Sequence, residues 1–363
     1  MKITQARVYS LSVPKKTVFK VAYASRNAAE SIIVCLKTAS GLEGFGEAVP
    51  VKEVTGEIKA EVYQKLMTFC KKLVGTDLAN YEEILNEASL TFLYMPSALA
   101  ALDTALWDLR GQQLKKPLFE IWGNAREFCV ASQSLGILSL PETLNETAKY
   151  LNLGLSHLKY KIGLNPEDDV KRIKAIRAAF PQITIYLDAN QGYSVKEALW
   201  VIDSLKDSQI EFMEQPVNKN DLPGLLTVAN LSSFPIVADE SIQGPESLLQ
   251  LLNIGHIPMI NIKLMKCGGP TNALKMMSLA KKANASVMIG CMIETRLGIT
   301  TGLHVAQSQD IVRYIDLDGC FDLKVDIVSS GGAILKDGKE FVTRGPGLGL
   351  KLNQELIVSL TGS

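Results

Sequence analysis

Surplus charge, paired cysteines and long apolar runs are all scarce in this chain of 363 residues. Lysine plus arginine and aspartate plus glutamate number 38 each, so no excess charge points to nucleic acid or to an anionic membrane surface. The six cysteines, at 35, 70, 129, 267, 291 and 320, form no C-x-x-C pair and no metal-ligand spacing. That pattern fits reduced thiols, mostly in a core, better than a disulfide framework. No apolar run reaches the roughly 18 residues of a membrane span. Met1-Lys-Ile-Thr-Gln-Ala-Arg7 turns polar too early for a signal peptide. A cytoplasmic protein is the expectation. Histidine is rare too: His157, His256 and His304 show no i, i+4 pairing and read as structural.

What the chain does have is 47% apolar residues and a recurrence. At this length it can bury a barrel of about 200–250 residues and a smaller domain beside it. Charged residues end one short apolar run after another: Leu158-Lys-Tyr-Lys161, Ile183-Thr-Ile-Tyr-Leu-Asp188, Ile210-Glu-Phe-Met-Glu214, Pro235-Ile-Val-Ala-Asp239 and Met259-Ile-Asn-Ile-Lys263. Successive ends lie 27, 26, 25 and 24 residues apart, and the register continues 27 residues to Gly290 and 26 more to Asp316. About 25 residues is what one strand, one helix and two short loops require. Helical patterns at Asp168–Ala179 and Ser194–Leu205 fill the intervals. With Cys129–Ile137 as the first, these runs make eight parallel strands.

Ahead of the barrel, residues 1–13 and 29–38 alternate as strands, and Glu30–Leu36 leads through Ala39-Ser-Gly-Leu42 to a further strand at Gly44-Phe-Gly46. Helical patterns follow at Glu57–Leu73, Tyr81–Glu87 and Ser97–Leu109, the last with Leu99, Leu102, Leu106 and Leu109 on one face. Strands then helices predict an α+β domain. After the barrel, Gly331-Gly332, Asp337-Gly338 and Gly345-Pro-Gly-Leu-Gly349 are turns between short β runs, with no room for another βα unit. The expected division is 1–125, 126–325 and 326–363, the last segment returning to the first domain.

The C-terminal ends of barrel strands gather at one mouth, where catalytic residues sit. Lys159 and Lys161 leave the same face of their strand, while Leu158, Tyr160 and Ile162 take the other. Alone, such a pair is most often a solvated strand face, but strands of a parallel barrel are covered on both sides. Burial and a like-charged neighbour would tune either lysine toward a base near neutral pH. Lys263 is the other candidate base, or else a lysine snorkelling from the rim. Asp188, Glu214 and Asp239 would converge and repel unless a cation joins them. Each alone could cap a helix or pair with a lysine. Three in register, with no Cys or His nearby, favour Mg²⁺ over zinc. Cys267-Gly-Gly-Pro270 lacks the spacing of a nucleotide-binding loop and reads as a turn.

Taken in order, Lys159-Tyr-Lys161, Asp188-Ala-Asn190, Glu214-Gln-Pro216, Asp239-Glu-Ser241 and Asn261-Ile-Lys263 resemble the strand-end motifs of the enolase superfamily, in its muconate-lactonizing-enzyme-like subgroup. Ser97–Leu109 is similar to the helix that precedes the barrel there. The resemblance spans nearly the whole chain. It implies an α+β capping domain on a modified (β/α)₇β barrel, with Mg²⁺ on Asp188, Glu214 and Asp239. Lys161 and Lys263 become acid and base on opposite faces of the substrate carbon, and Lys159 helps stabilise the enolate. Mandelate racemases carry a His after strand seven, where this chain has Gly290-Cys291-Met292.

Asp316-Leu-Asp318 resembles the Asp-x-Asp with which dipeptide epimerases of the L-Ala-D/L-Glu type hold a free ammonium, and Met292–Gly298 also looks like theirs. The resemblance further implies Ser134, Cys291 and Arg26 as substrate-binding, Arg26 standing in Tyr23-Ala-Ser-Arg26 where the family's loop after the first strand can carry an Arg. The implied activity is Mg²⁺-dependent inversion of the C-terminal residue of a dipeptide through a metal-stabilised enolate. The alternatives on the same site are N-acylamino-acid racemisation, o-succinylbenzoate synthesis and cycloisomerisation. A small-molecule dipeptide is then the partner, and a homo-oligomer is expected because such barrels often form symmetric assemblies.

Overall fold

The computed structural model describes residues 1–20 and 25–361. Of Tyr23-Ala-Ser-Arg26, positions 23 and 24 lie outside the described residues. The chain opens with an antiparallel sheet of Ile3–Lys20, Ser25–Thr38 and Glu43–Ala48. The first two strands run past the expected ends, so their hairpin reaches over the barrel mouth, where Lys15, Thr17, Arg26 and Ala28 join the cavity wall. Helices Lys59–Leu73, Tyr81–Thr91 and Pro96–Leu114 complete this domain. Gly46 lets the last of them lie on the sheet, since a Cβ there would stand 1.8 Å from Ala101 O. That helix is buried well beyond its leucine face, including Ala100, Ala101 and Ala105. Its Asp103 accepts Thr271 N–H at 2.7 Å and Thr271 Oγ1–H at 2.8 Å from the barrel side.

The barrel strands are Ser132–Leu135, His157–Lys161, Thr184–Asp188, Ile210–Glu214, Ile236–Ala238, Met259–Lys263, Ser286–Gly290 and Val312–Asp316, paired in parallel in chain order. Ser132 Oγ–H to Ile315 O, 2.6 Å, ties the first strand to the last. A helix joins each strand to the next, from Leu140–Asn152 to Arg296–Ser308. The predicted first strand divides in two. Cys129–Val130 pairs with Lys339–Val342 in a small antiparallel sheet, Ala131 N–H donates to Gly338 O, and only Ser132–Leu135 enters the barrel. The C-terminal stretch also meets the first domain, through Leu118 N–H to Gly347 O and an antiparallel bridge between Leu11 and Thr361.

Aliphatic side chains on the outward faces of the strands pack against the helices in one large core. The inward faces carry two layers. The upper layer is polar and contains Lys161, Asp188, Glu214, Lys263 and Asp316, the last residues of their strands. Two residues before the strand ends, strands three, four, seven and eight carry Tyr186, Phe212, Met288 and Tyr314, which form an apolar floor with Val237 and Met259, while strands two and six carry Lys159 and Asn261 at that level. The Tyr186 and Phe212 rings stack at 4.4 Å. No described helix is long and apolar enough to cross a membrane.

Candidate active site

A cavity of about 160 Å³ lies between the barrel mouth and the capping hairpin. Lys161, Lys263, Asp316, Asp318, Ser134, Cys291 and Arg26 all line it, together with Gln133, Asn190 and the capping residues Val49, Pro50 and Val51. Lys161 and Lys263 end strands two and six of an eight-strand round, so they face each other across it. Asp188, Glu214 and Asp239 lie just beneath, fully buried.

Each of those carboxylates meets an ammonium group. Lys161 Nζ is 2.6 Å from Asp188 Oδ2, and Lys263 Nζ is 2.7 Å from Asp239 Oδ2. Lys159, fully buried, lies 2.7 Å from Glu214 Oε2, 2.7 Å from Asp316 Oδ2 and 3.1 Å from Asp188 Oδ2. Lys266 holds the other oxygen of Asp239 and its backbone carbonyl. Asn261 Nδ2 donates to Glu214 Oε1 at 2.9 Å, and Asn190 Nδ2 to Glu240 Oε1 at 3.1 Å.

The charges correct one expectation. Burial alone would lower the ammonium groups of Lys159 and Lys263, but the facing carboxylates outweigh it and hold both well above the usual lysine value. Neither is tuned toward neutrality in this arrangement. Burial and the charge of Asp188 push Glu214 up to about 8, and burial with Asp239 pushes Glu240 up to about 7. Burial resists ionisation of Asp188 as well, yet Lys161 and Lys159 bring it down to about 2.

Among the described residues, no three His, Cys, Asp or Glu side chains stand ready to hold a metal ion as they are, because lysines stand against the carboxylate oxygens. The donor chemistry nevertheless suits a hard divalent cation. Every candidate oxygen is a carboxylate in a site shut off from bulk water. Glu214 Oε2 faces Lys159 without forming a hydrogen bond, and Glu240 Oε2, Asn190 Oδ1 and Asn261 Oδ1 also lack partners among the described residues.

Ser134 serves the aspartates of strand eight. Its Oγ donates to Asp316 Oδ1 at 2.8 Å and its N–H to Asp318 Oδ2 at 2.7 Å, an oxygen that also accepts Gln133 Nε2 at 2.6 Å. Burial and the charge of Asp316 push Asp318 up to about 7. Arg26 is turned onto Glu53 of the capping domain. Gln133, Lys266 and Glu240 went unassigned in the sequence. Lys266, three residues after Lys263, carried the clearest signal, a second lysine beyond the strand end.

Residues 3–123 match the N-terminal domain of the mandelate racemase / muconate lactonizing enzyme family, and residues 142–356 match the family described as enolase C-terminal domain-like. The hydrophobic dipeptide epimerase of Enterococcus faecalis is 36% identical over 97% of this chain and 100% of its own. A crystal structure of the dipeptide epimerase from that organism, with Mg and L-Leu-L-Tyr, superposes with a TM-score of 0.93 over the same shares. The L-Ala-D/L-Glu epimerase of Bacillus subtilis is 35% identical over 96% of this chain and 97% of its own. The structure of the N-succinyl Arg/Lys racemase of Bacillus cereus, 30% identical, gives a TM-score of 0.95 over 100% of this chain and 99% of that one. With both domains matched, an eight-stranded barrel under an α+β cap and the strand-end motifs in order, the chain belongs to the enolase superfamily, in its mandelate racemase / muconate lactonizing enzyme branch.

Proposed function

We propose that this protein is a Mg²⁺-dependent dipeptide epimerase that inverts the α-carbon of the C-terminal residue by two-base 1,1-proton transfer. One observation carries the reading: Lys161 and Lys263 line a single cavity from opposite sides of the barrel, each beside a different carboxylate. Inversion needs a proton removed on one face and returned on the other, and two lysines so placed supply both. The similarity to dipeptide epimerases over nearly the whole chain supports the same substrate class.

Asp188, Glu214 and Asp239 would hold the ion, and when bound it supplies positive charge that lowers the cost of developing negative charge on the substrate carboxylate. Lys159, buried and cationic, adds a fixed positive charge beneath the reacting carbon. Lys161, entering as the neutral amine, takes the α-proton from one epimer and becomes an ammonium while Lys263, entering as the ammonium, delivers a proton to the far face, and the protonation states and roles reverse for the other epimer. Asp318, with Asp316 behind it, receives the free N-terminal ammonium, and Ser134 holds both aspartates in place. Cys291 closes the wall between them and the capping domain. In this reading the units are the cap 1–125, the barrel 126–325 and the returning segment 326–363. N-acylamino-acid racemisation is the second reading, favoured by the similarity to the Bacillus cereus racemase. It brings an acyl chain, rather than an ammonium, to two aspartates.

Dipeptide pools incubated with the protein, Mg²⁺ and D₂O test the proposal by mass spectrometry. Lys161→Ala is expected to abolish α-proton exchange from one epimer, Lys263→Ala from the other, and neither variant is expected to epimerise. Epimerisation surviving in either single variant would make the two-base scheme wrong.

A further inference from the structure

Two buried carboxylates that the chemistry above does not use, Glu47 and Glu294, meet behind the cavity wall. Glu47 lies on the third capping strand, which runs on through Val49, Pro50 and Val51 into the wall. Its Oε1 accepts Ser31 Oγ–H at 2.6 Å and Thr295 N–H at 2.9 Å. Its Oε2 accepts Thr295 Oγ1–H at 2.7 Å and Gly298 N–H at 2.8 Å. Three of the four donors therefore belong to the barrel.

Thr295 is the N-cap of helix Arg296–Ser308, and Gly298 lies in its first turn. A carboxylate from the cap thus satisfies donors that a barrel helix leaves open, at the positive end of its dipole. Glu294 anchors the preceding turn, accepting Met292 N–H at 2.6 Å and Ile293 N–H at 3.1 Å. Ile293 sits at φ 150°, a conformation that a β-branched residue keeps only when its surroundings impose it. Cys291, Met292 and Ile293 form another part of the cavity wall. The junction has no slack: a Cβ on Gly298 would stand 2.9 Å from Glu47 Oε2 and 2.7 Å from Glu294 Cβ.

We propose that Glu47 is a positioning residue which, by tying the capping strand to the Thr295–Gly298 turn, fixes the spacing between the Val49–Val51 and Cys291–Ile293 walls and so selects the side chain the cavity admits. The inference rests on the dipeptide epimerase reading. A carboxylate can accept all four donors, whereas glutamine keeps one acceptor oxygen and turns an NH₂ group toward groups that also donate. Glu47→Gln therefore loosens the joint without changing its size.

The test compares Glu47→Gln and Gly298→Ala with the unmutated enzyme on two dipeptides that share an N-terminal residue and differ in a small or a large C-terminal side chain. The ratio of the two kcat/KM values is expected to shift at least about fivefold, mostly through KM, with kcat within about threefold. Amide exchange is expected to quicken at residues 291–298 and to stay unchanged in the distant barrel strands. An unchanged ratio overturns the proposal, and so does an equal loss on both substrates that tracks the unfolded fraction. If neither variant folds, Thr295→Val, which removes only the hydroxyl contacts, is expected to shift the ratio and Thr295→Ser to retain it. If the unmutated protein turns over no dipeptide, the functional reading fails. Amide exchange in Glu47→Gln then decides alone, and no change at 291–298 overturns the tie.

Discussion

Asp316 has both oxygens engaged, one by Lys159 and one by Ser134, while Asp318 accepts through a single oxygen from Gln133 and Ser134. Asp318 is thus the freer partner for an incoming ammonium, in a contact worth about 1.5–3 kcal/mol. N-acetylating a dipeptide is expected to lower kcat/KM at least about tenfold. Asp318→Asn is expected to hurt the free dipeptide more than the acetylated one, as steady-state kinetics would read. Equal turnover of free and N-succinylated substrates would favour the racemase reading. At this scale the sequence was most legible where residue type and strand end coincide, as at Lys161, Asp188, Glu214, Asp239 and Lys263. Gln133 and Glu47 were not legible, because their partners lie 185 and 248 residues away.

Among the elements, the helix Pro96–Leu114 carries more than its leucine face announces. Asp108, buried on this helix, accepts Phe45 N–H at 3.0 Å from the capping sheet and Leu348 N–H at 2.9 Å from the C-terminal stretch. Asp108→Ala would strand both backbone donors away from water, at about 1–3 kcal/mol each. Denaturant unfolding is expected to show a loss of several kcal/mol, and a loss under about 1 kcal/mol would mean that water reaches these groups. The recurrence of apolar runs with charged ends located strands two to eight to within a residue or two, since the spacing and the covering helices agree. The division of the first strand at Ala131 was hidden, because the segment that claims Cys129–Val130 lies at Lys339–Val342.

Across the whole molecule, His304 joins three distant segments. Its Nδ1 accepts Phe119 N–H and its Nε2 lies 3.2 Å from Leu348 O, in a site with no exposed surface. Burial lowers the imidazole to about 4 from an ordinary value near 6.5. The unfolded chain therefore takes up a proton near pH 6.5 that the folded chain refuses until about pH 4. This contribution is complete above pH 6.5 and is lost progressively as the pH falls toward 4, about 3 kcal/mol in all. Denaturant midpoints measured across that window are expected to fall more steeply in the unmutated protein than in His304→Gln. Parallel slopes would place the proton elsewhere. The sequence reading of His304 as structural agrees with this setting, although nothing local to it revealed the three segments it joins.

The side chains of Tyr186, Phe212, Met288 and Tyr314 pack together beneath the polar layer, so the charged groups of the mouth stand on an apolar floor. The cavity in which Lys161 and Lys263 stand is roofed on the hairpin side by Lys15, Thr17, Arg26 and Ala28. On the proposed two-base reading, a hydron taken from the α-carbon under that roof is expected to reach solvent more slowly than from an open mouth, which isotope washout measured against epimerisation would read.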